Sequence, residues 1–118
     1  MKYHNIKTIR NGVLYDSKKE SKRASELELM QKAHLIKELE RQKRFELQPK
    51  FIDNLGKTQR KIEYVCDFYY YDNEKNTYVA EDVKSVITRQ DKTYRLKKKM
   101  FMYQYPNILF KEVLWVIT

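Results

Sequence analysis

KIEYVCDFYYY (residues 61–71) and TYVAEDVKS (residues 77–85) are the two segments that decide the fold of this chain. Both are rich in Tyr, Val and Ile, which favour β-strands. The polar stretch DNEKN between them is typical of a turn. We therefore predict a hairpin whose loop is centred near Glu74. Paired residue numbers in such a hairpin add up to about 148 or 149, so Asp67 is expected nearly opposite Asp82.

The residues before this hairpin predict a smaller hairpin followed by a helix. Asn11-Gly12 is the strongest short hairpin signal, because both turn residues must adopt positive φ. Ser17 is a candidate helix N-cap, and Glu20 three residues later completes a capping box. The elements predicted on this side are strands at 6–10 and 13–15 and a helix from 16 to about 33.

The remaining segments predict further strands and a second helix. Pro49 interrupts an extended region, and Gly56 lies in a predicted turn. Thr88 or Asp91 can cap the second helix, which Pro106 stops. The elements predicted here are strands at 35–44 and 45–52, a turn at 53–58, a helix to about 105 and a strand at 108–117. Together they predict one mixed α/β domain over residues 1–118.

Composition excludes several classes of protein. The chain has 118 residues, 42% of them hydrophobic, which is enough for one domain with a core. Two glycines exclude the Gly-rich phosphate loops, and two histidines with one cysteine exclude zinc fingers and disulfide frameworks. The first residues, MKYHN, are not followed by an apolar stretch, and no apolar run could span a membrane. We therefore expect a cytoplasmic protein.

The positive charge is concentrated in two places. Lys and Arg number 25 against 16 Asp and Glu, for a net charge of +9, and residues 84–99 hold seven basic residues and one acidic residue. A second basic group surrounds Glu20. Such clusters predict a polyanionic partner, with nucleic acid favoured over lipid, and an ordinary solvated basic surface is the alternative. The residues predicted to bind nucleic acid are Lys18, Lys19, Lys22, Arg89, Lys92, Arg95, Lys98 and Lys99.

The second predicted helix has two faces. Its basic residues recur at helical spacing, so they would contact a nucleic-acid backbone without reading its sequence. The apolar residues expected on the opposite, core side are Leu96, Met100 and Tyr103.

Three acids and a lysine are candidates for chemistry. Two aspartates opposite each other on one sheet face repel unless positive charge lies between them. Lys84 lies two residues after Asp82 on the same predicted face, and a divalent cation would supply the remaining charge. Glu20 falls on the helix stripe of Ala24, Leu27 and Gln31, so it is expected to point inward. An ordinary capping glutamate and an incidental surface pair are the alternatives.

Four spaced motifs resemble the PD-(D/E)XK nuclease superfamily. They are YDSKKE (residues 15–20), LERQ (39–42), YVCDF (64–68) and EDVK (81–84). The pattern is most similar to the small phage-encoded endonuclease-like proteins of that superfamily, which include proteins that resemble Holliday junction resolvases. The likeness runs from about Tyr15 to Val116. Cys66 replaces the proline of the superfamily name, and Ser85 stands where these phage proteins often carry glycine.

The resemblance implies a restriction-endonuclease-like fold, a mixed β-sheet flanked by helices, and Mg²⁺-dependent hydrolysis of DNA phosphodiester bonds. It implies Mg²⁺ or Mn²⁺ as the cofactor, held by Asp67, Asp82 and the Val83 carbonyl and completed or supported by Glu20. It gives Lys84 the role of orienting water and stabilising charge on the phosphate. Gln42 would fix the water or a ligand.

The resemblance leaves several questions about function open. Branched DNA such as the Holliday junction, in phage replication or recombination, is one substrate that it suggests. A homodimer follows by analogy, and a phage origin would place the protein in the host cytoplasm. A non-catalytic nucleic-acid-binding module that retains the fold and an RNA-directed nuclease are the alternatives.

Overall fold

A computed structural model describes residues 8–10, 13–15 and 18–115 of the chain. A short 3-10 helix at Thr88–Gln90 precedes the second α-helix. The other elements are β1 (Thr8–Arg10), β2 (Val13–Tyr15), α1 (Lys18–Lys32), β3 (Ile36–Gln48), β4 (Phe51–Ile52), β5 (Thr58–Gln59), β6 (Ile62–Asp72), β7 (Thr77–Ser85), α2 (Lys92–Gln104) and β8 (Ile108–Trp115). Among the described residues no helix combines the length and apolar character needed to cross a membrane.

The main sheet has four strands in the order β3-β6-β7-β8. The β3–β6 and β6–β7 pairs are antiparallel, while β7 and β8 are parallel and are connected through α2. A parallel pair needs such a crossover because its strands cannot be joined by a tight turn. The prediction of a mixed α/β fold is confirmed, and the arrangement is compatible with a restriction-endonuclease-like fold.

The two helices cover opposite faces of this sheet. One core cluster joins Ala24 and Leu27 of α1 to Val79 of β7, and a second joins Phe101 of α2 to Ala80. Because consecutive strand residues point to opposite faces, Val79 and Ala80 place the two clusters on the two sides of the sheet. Burying both faces explains why β6 is apolar at most of its positions.

The alternation of faces breaks at Asp67. Cys66 belongs to the α2 cluster and Phe68 to the α1 cluster, although residues two apart in a regular strand share a face. On the neighbouring strand, Gln42 has a φ of 52°, and the pairs on either side of it are Arg41 with Phe68 and Lys43 with Cys66. The irregularities in β3 and β6 therefore lie opposite each other. They displace Asp67 from the regular alternation of faces along β6.

The hairpin of β6 and β7 keeps the predicted register. Its pairs run from Asp72 with Thr77 to Phe68 with Glu81, and each pair adds up to 149. The first hairpin is confirmed as the paired strands β1 and β2, whereas its Asn11-Gly12 turn and the Ser17 cap lie outside the described residues.

The predicted break between strands at residues 44 and 45 is wrong. The strand β3 runs without interruption through Arg44 and Phe45, because exposed and buried side chains continue to alternate there. It ends just before Pro49, which has no N–H for a ladder hydrogen bond. In the second helix, Asp91 is the cap: its side chain accepts a hydrogen bond from the Tyr94 N–H at 2.8 Å.

The predicted core face of α2 is also wrong in part. Leu96 is 60% exposed and Tyr103 is 86% exposed, and only Met100 packs against the core. The buried stripe instead passes through Tyr94 and Phe101, which are seven residues apart and therefore share a helix face. The aromatic side chains define the core face, and the isolated Leu96 remains on the basic one.

Candidate active site

Asp67 and Asp82 lie where the ladder between β6 and β7 changes its hydrogen bonding. Oδ1 of Asp82 accepts the Asp67 N–H at 3.0 Å, and Oδ2 of Asp67 accepts the Val83 N–H at 2.8 Å. The last regular pair of the β6–β7 ladder is Phe68 with Glu81, directly next to the two aspartates. Each carboxylate thus occupies a position beside the opposite strand that a backbone carbonyl would fill in a regular ladder. The two aspartates are adjacent, as the hairpin register predicts.

Asp82 is buried and Asp67 is half-buried. Asp82 is 1% exposed, and its Oδ2 accepts a hydrogen bond from the Tyr64 hydroxyl. Burial, with smaller contributions from Asp82 and Glu20, raises the pKa of Asp67 to about 7 against the opposing effect of Lys84. Burial also raises the pKa of Asp82, against the opposing charge of Lys84. The site therefore concentrates negative charge that its own residues neutralise only in part.

Glu20 faces this pair from α1. It is 4% exposed, like Ala24 and Leu27 on the same helix stripe, so its predicted inward orientation is confirmed. Its Oε1 accepts hydrogen bonds from Arg41 Nη2 at 3.3 Å and from Gln42 Nε2 at 3.4 Å. Gln42 thereby joins Glu20 to the irregular part of β3. The predicted companion Gln31 is exposed and accepts the Leu39 N–H instead.

Lys84 approaches the pair from the face covered by α2. Its Nζ lies 4.8 Å from the centre of the Tyr94 ring, a cation–π contact that restricts where the amine can go. The Tyr94 hydroxyl donates to Glu112, which is paired with Asp82 across the β7–β8 ladder. Lys98 contacts the same carboxylate at 3.2 Å. Lys84 therefore lies over the Tyr94 ring, whose hydroxyl is hydrogen-bonded to Glu112.

Glu112 and Tyr94 are site residues that sequence reasoning missed. No spacing rule links Glu112 to Asp82, because the register of a parallel pair depends on how the helix between the strands packs. The charge of Glu112 is among the causes that raise the pKa of Asp82.

A buried ion pair beneath the site was also missed. Glu81 has no exposed side-chain surface, and Arg23 Nη2 donates to its Oε2 at 3.1 Å while Arg23 Nε donates to Oε1. The Tyr70 hydroxyl donates to Glu81 at 2.6 Å. The signal was present in the sequence: Glu81 adjoins Asp82 and so points to the opposite face, where a buried carboxylate requires a cation.

The donor set suits a hard divalent cation. Asp67 and Asp82 are adjacent carboxylates of raised pKa, and oxygen ligands of this kind are those that Mg²⁺ and Mn²⁺ prefer. In the described part of the chain no three acidic, histidine or cysteine side chains are gathered into a metal-binding group. Glu20 is instead engaged by Arg41 and Gln42, so it fits the role of a supporting residue better than that of a ligand.

The predicted basic residues differ in what they contact. Most are exposed, both on α1 and around α2. Lys98 is the exception: it is half-buried, paired with Glu112 and packed over the Tyr94 and Phe110 rings. The exposed members are Lys18, Lys19, Lys22, Arg89, Lys92, Arg95 and Lys99.

The raised pKa of Asp67 predicts how stability depends on pH. The folded state holds this proton more tightly than the unfolded state, so the free energy of unfolding should fall as pH rises from about 4 to about 7. Replacing Asp67 with Asn removes that contribution. The free energy of unfolding, measured with urea at about pH 5 and about pH 8, should therefore fall less between these pH values in Asp67→Asn than in the wild type. An equal loss in both proteins would contradict the assignment.

Comparison with known proteins gives a family match. All of residues 1–118 match the model of a family described as "Protein of unknown function (DUF1064)". No curated protein and no solved structure matches the chain.

Proposed function

We propose that this chain, which belongs to the DUF1064 family, is an endodeoxyribonuclease that uses Mg²⁺ or Mn²⁺ to hydrolyse DNA phosphodiester bonds. The observation that carries the proposal is the pair formed by the half-buried Asp67 and the buried Asp82, with Lys84 on the same strand face. A fold does not need two adjacent carboxylates that are partly or fully withdrawn from water, because their repulsion and desolvation cost free energy. Such a pair is consistent with a site whose occupant is a cation.

Different residues of the chain would hold the dication and support its ligands. Asp67, Asp82 and the Val83 carbonyl would hold the dication, with Glu20 and Gln42 supporting them from α1 and β3. The chemistry that the dication supplies when bound is Lewis acidity, which lowers the pKa of water and neutralises charge on a phosphate. The buried surroundings strengthen these electrostatic interactions.

Lys84 would act on the phosphate directly. Its ammonium group donates up to three hydrogen bonds and carries a charge suited to the oxygens of a reacting phosphate. The Tyr94 ring beneath it would keep the amine near the carboxylates without neutralising it. This combination favours stabilisation of developing negative charge as the role of Lys84.

The exposed basic residues would bind the DNA backbone. The basic residues of α1 lie close to Glu20 in the chain. The basic residues around α2 lie in the segment that connects β7 to β8. Contacts of this kind are independent of sequence, which fits an enzyme that selects DNA by shape, such as a branched junction. Symmetric cutting of two strands would require a two-fold homodimer.

A non-catalytic nucleic-acid-binding module is the second candidate. The hydrogen bonds from Arg41 and Gln42 to Glu20 favour it, since they satisfy that carboxylate without a cation. The Asp67–Asp82 pair favours the enzyme, because a pure binder would gain affinity for phosphate by losing these charges.

A panel of substrates distinguishes the two. Linear, flapped, forked and four-way DNA, with RNA counterparts, would be incubated with Mg²⁺, with Mn²⁺ and with EDTA. We expect cleavage of at least one DNA substrate only in the presence of a metal, and none of RNA. Metal-independent binding of every substrate without cleavage would overturn the nuclease proposal and support the binding module.

A further inference from the structure

A basic cavity lies beside the end of β7. It has a volume of about 450 Å³ and is lined by Val86, Arg89, Gln90, Arg95 and Lys98. Three of these five side chains are cations, and none is acidic. The cavity therefore has a charge that an anionic group would match, and it is large enough to admit one.

The positive charge of the cavity is only partly balanced. Lys98 is paired with Glu112 at 3.2 Å. Among the described residues, no carboxylate forms an ion pair with Arg89 or Arg95, and both arginines are exposed. Two guanidinium groups are thus available to a ligand. A guanidinium offers parallel N–H donors that match phosphate oxygens, and a lysine offers a point charge.

Hydrogen bonds hold the chain around the cavity in place. The Ser85 N–H donates to Thr88 Oγ1 at 2.9 Å, and the Thr88 N–H donates to Ser85 Oγ at 3.0 Å. This reciprocal pair fixes the turn that leads from β7 into the 3-10 helix of Arg89 and Gln90. The Asp91 cap then starts α2, which carries Arg95. The arginines accordingly project from ordered segments.

The cavity adjoins the candidate active site. Lys98 Nζ lies 5.9 Å from the centre of the Tyr94 ring, and Lys84 Nζ lies 4.8 Å from the same centre. One aromatic ring therefore borders both the amine assigned to the reacting phosphate and a wall of the cavity. A phosphate in the cavity would therefore share the Tyr94 ring as a neighbour with a phosphate bound at Lys84.

We infer that the cavity of Arg89, Arg95 and Lys98 is a phosphate-binding site that takes the backbone phosphate next to the one at Asp67 and Asp82. Its identification as a phosphate site stands on the cavity itself, whereas the identity of that phosphate rests on the proposed function. A free phosphate is the other source with the same chemistry.

Metal-free DNA binding tests the site. Arg89→Gln and Arg95→Gln each remove one cation from the cavity, and Arg60→Gln removes a matched exposed arginine between β5 and β6. We expect each cavity variant to weaken DNA binding about tenfold, as loss of a charged hydrogen bond does. The slope of log affinity against log salt should fall by about 0.9 in magnitude for each lost contact. Arg60→Gln should change affinity less than about twofold.

Two comparisons decide the outcome. Equal losses for Arg60→Gln and the cavity variants would overturn the site, because they would reflect general electrostatics. Titration with inorganic phosphate and pyrophosphate identifies the source: saturable binding lost in Arg95→Gln supports a free phosphate, and DNA binding alone supports a backbone phosphate. Failure of all three ligands to bind through these arginines would overturn the proposal.

The same experiments separate this inference from the nuclease proposal. A wild-type protein that never cleaves DNA but loses DNA affinity in the cavity variants retains the phosphate site without the enzyme. A protein that cleaves DNA, and whose cavity variants bind DNA as the Arg60 control does, retains the enzyme without the phosphate site.

Discussion

Replacing Asp82 with Asn should lower metal-dependent DNA cleavage by about 1,000-fold. A catalytic metal supplies several kcal/mol of transition-state stabilisation, and each 1.36 kcal/mol corresponds to a factor of ten in rate. Asp82 is 1% exposed and contacts both Tyr64 and the backbone of Asp67, so its loss removes the most buried of the proposed ligands. DNA binding should be unchanged or tighter, because a negative charge near phosphate is removed.

Asp72→Asn is a matched control for this variant. Asp72 lies at the other end of β6, where its carboxylate accepts the N–H groups of Glu74 and Lys75 in the turn. It makes the same kind of backbone contact as Asp82 but lies away from the site, so cleavage should remain near wild type. Initial rates on a cleaved substrate, with circular dichroism to verify folding, measure both variants. Wild-type cleavage by a folded Asp82→Asn protein would rule out Asp82 as a ligand.

Removing Arg23 should destabilise the protein by about 3–5 kcal/mol, because a buried Glu81 charge would be left without its partner. The Glu81 side chain has no exposed surface, and Arg23 approaches it with two nitrogen atoms. The hydrogen bond to Glu81 raises the pKa of Arg23, which therefore remains charged at every accessible pH. Urea unfolding of Arg23→Ala measures the loss.

Two further variants sharpen this prediction. Glu26 contacts the same arginine at 3.3 Å but its side chain is 50% exposed, so Glu26→Ala should change stability by less than about 0.5 kcal/mol. Replacing both buried partners with apolar residues, Arg23→Met with Glu81→Leu, should recover much of the stability lost in Arg23→Ala. A loss in the double variant as large as in the single variant would show that packing, and not the uncompensated charge, is responsible.

This ion pair connects the two parts of the candidate site. Arg23 lies three residues after Glu20 on α1, and Glu81 precedes Asp82 on β7. The pair therefore fixes the helix that carries Glu20 against the strand that carries Asp82. Burying these charges costs free energy of desolvation. The two contacts between Arg23 and Glu81 in turn fix both the position and the orientation of the helix against the sheet.

Local signals in the sequence predicted the central hairpin well. The polar turn between β6 and β7 sets the register, and that register brings Asp67 beside Asp82. The helical stripe with Ala24 and Leu27 likewise predicted the orientation of Glu20. These features depend on short-range periodicity, which a single sequence carries.

Features that depend on tertiary packing escaped prediction. The irregularity at Gln42 requires β3 and β6 to be aligned before it has any meaning, and Glu112 reaches Asp82 only through a parallel pairing. The face of α2 is chosen by how Phe101 fits against Ala80, and not by the hydrophobicity of Leu96 alone. In each case the deciding contact joins residues far apart in the chain.

Cys66 gives the protein a built-in chemical reporter. It is the only cysteine in the chain, it is fully buried beside Asp67, and burial raises the pKa of its thiol to about 12. A thiol reagent can therefore react only when the strands separate at that point. The labelling rate would measure how often the sheet opens next to the two aspartates, with no probe introduced, and a cation that binds them should slow it.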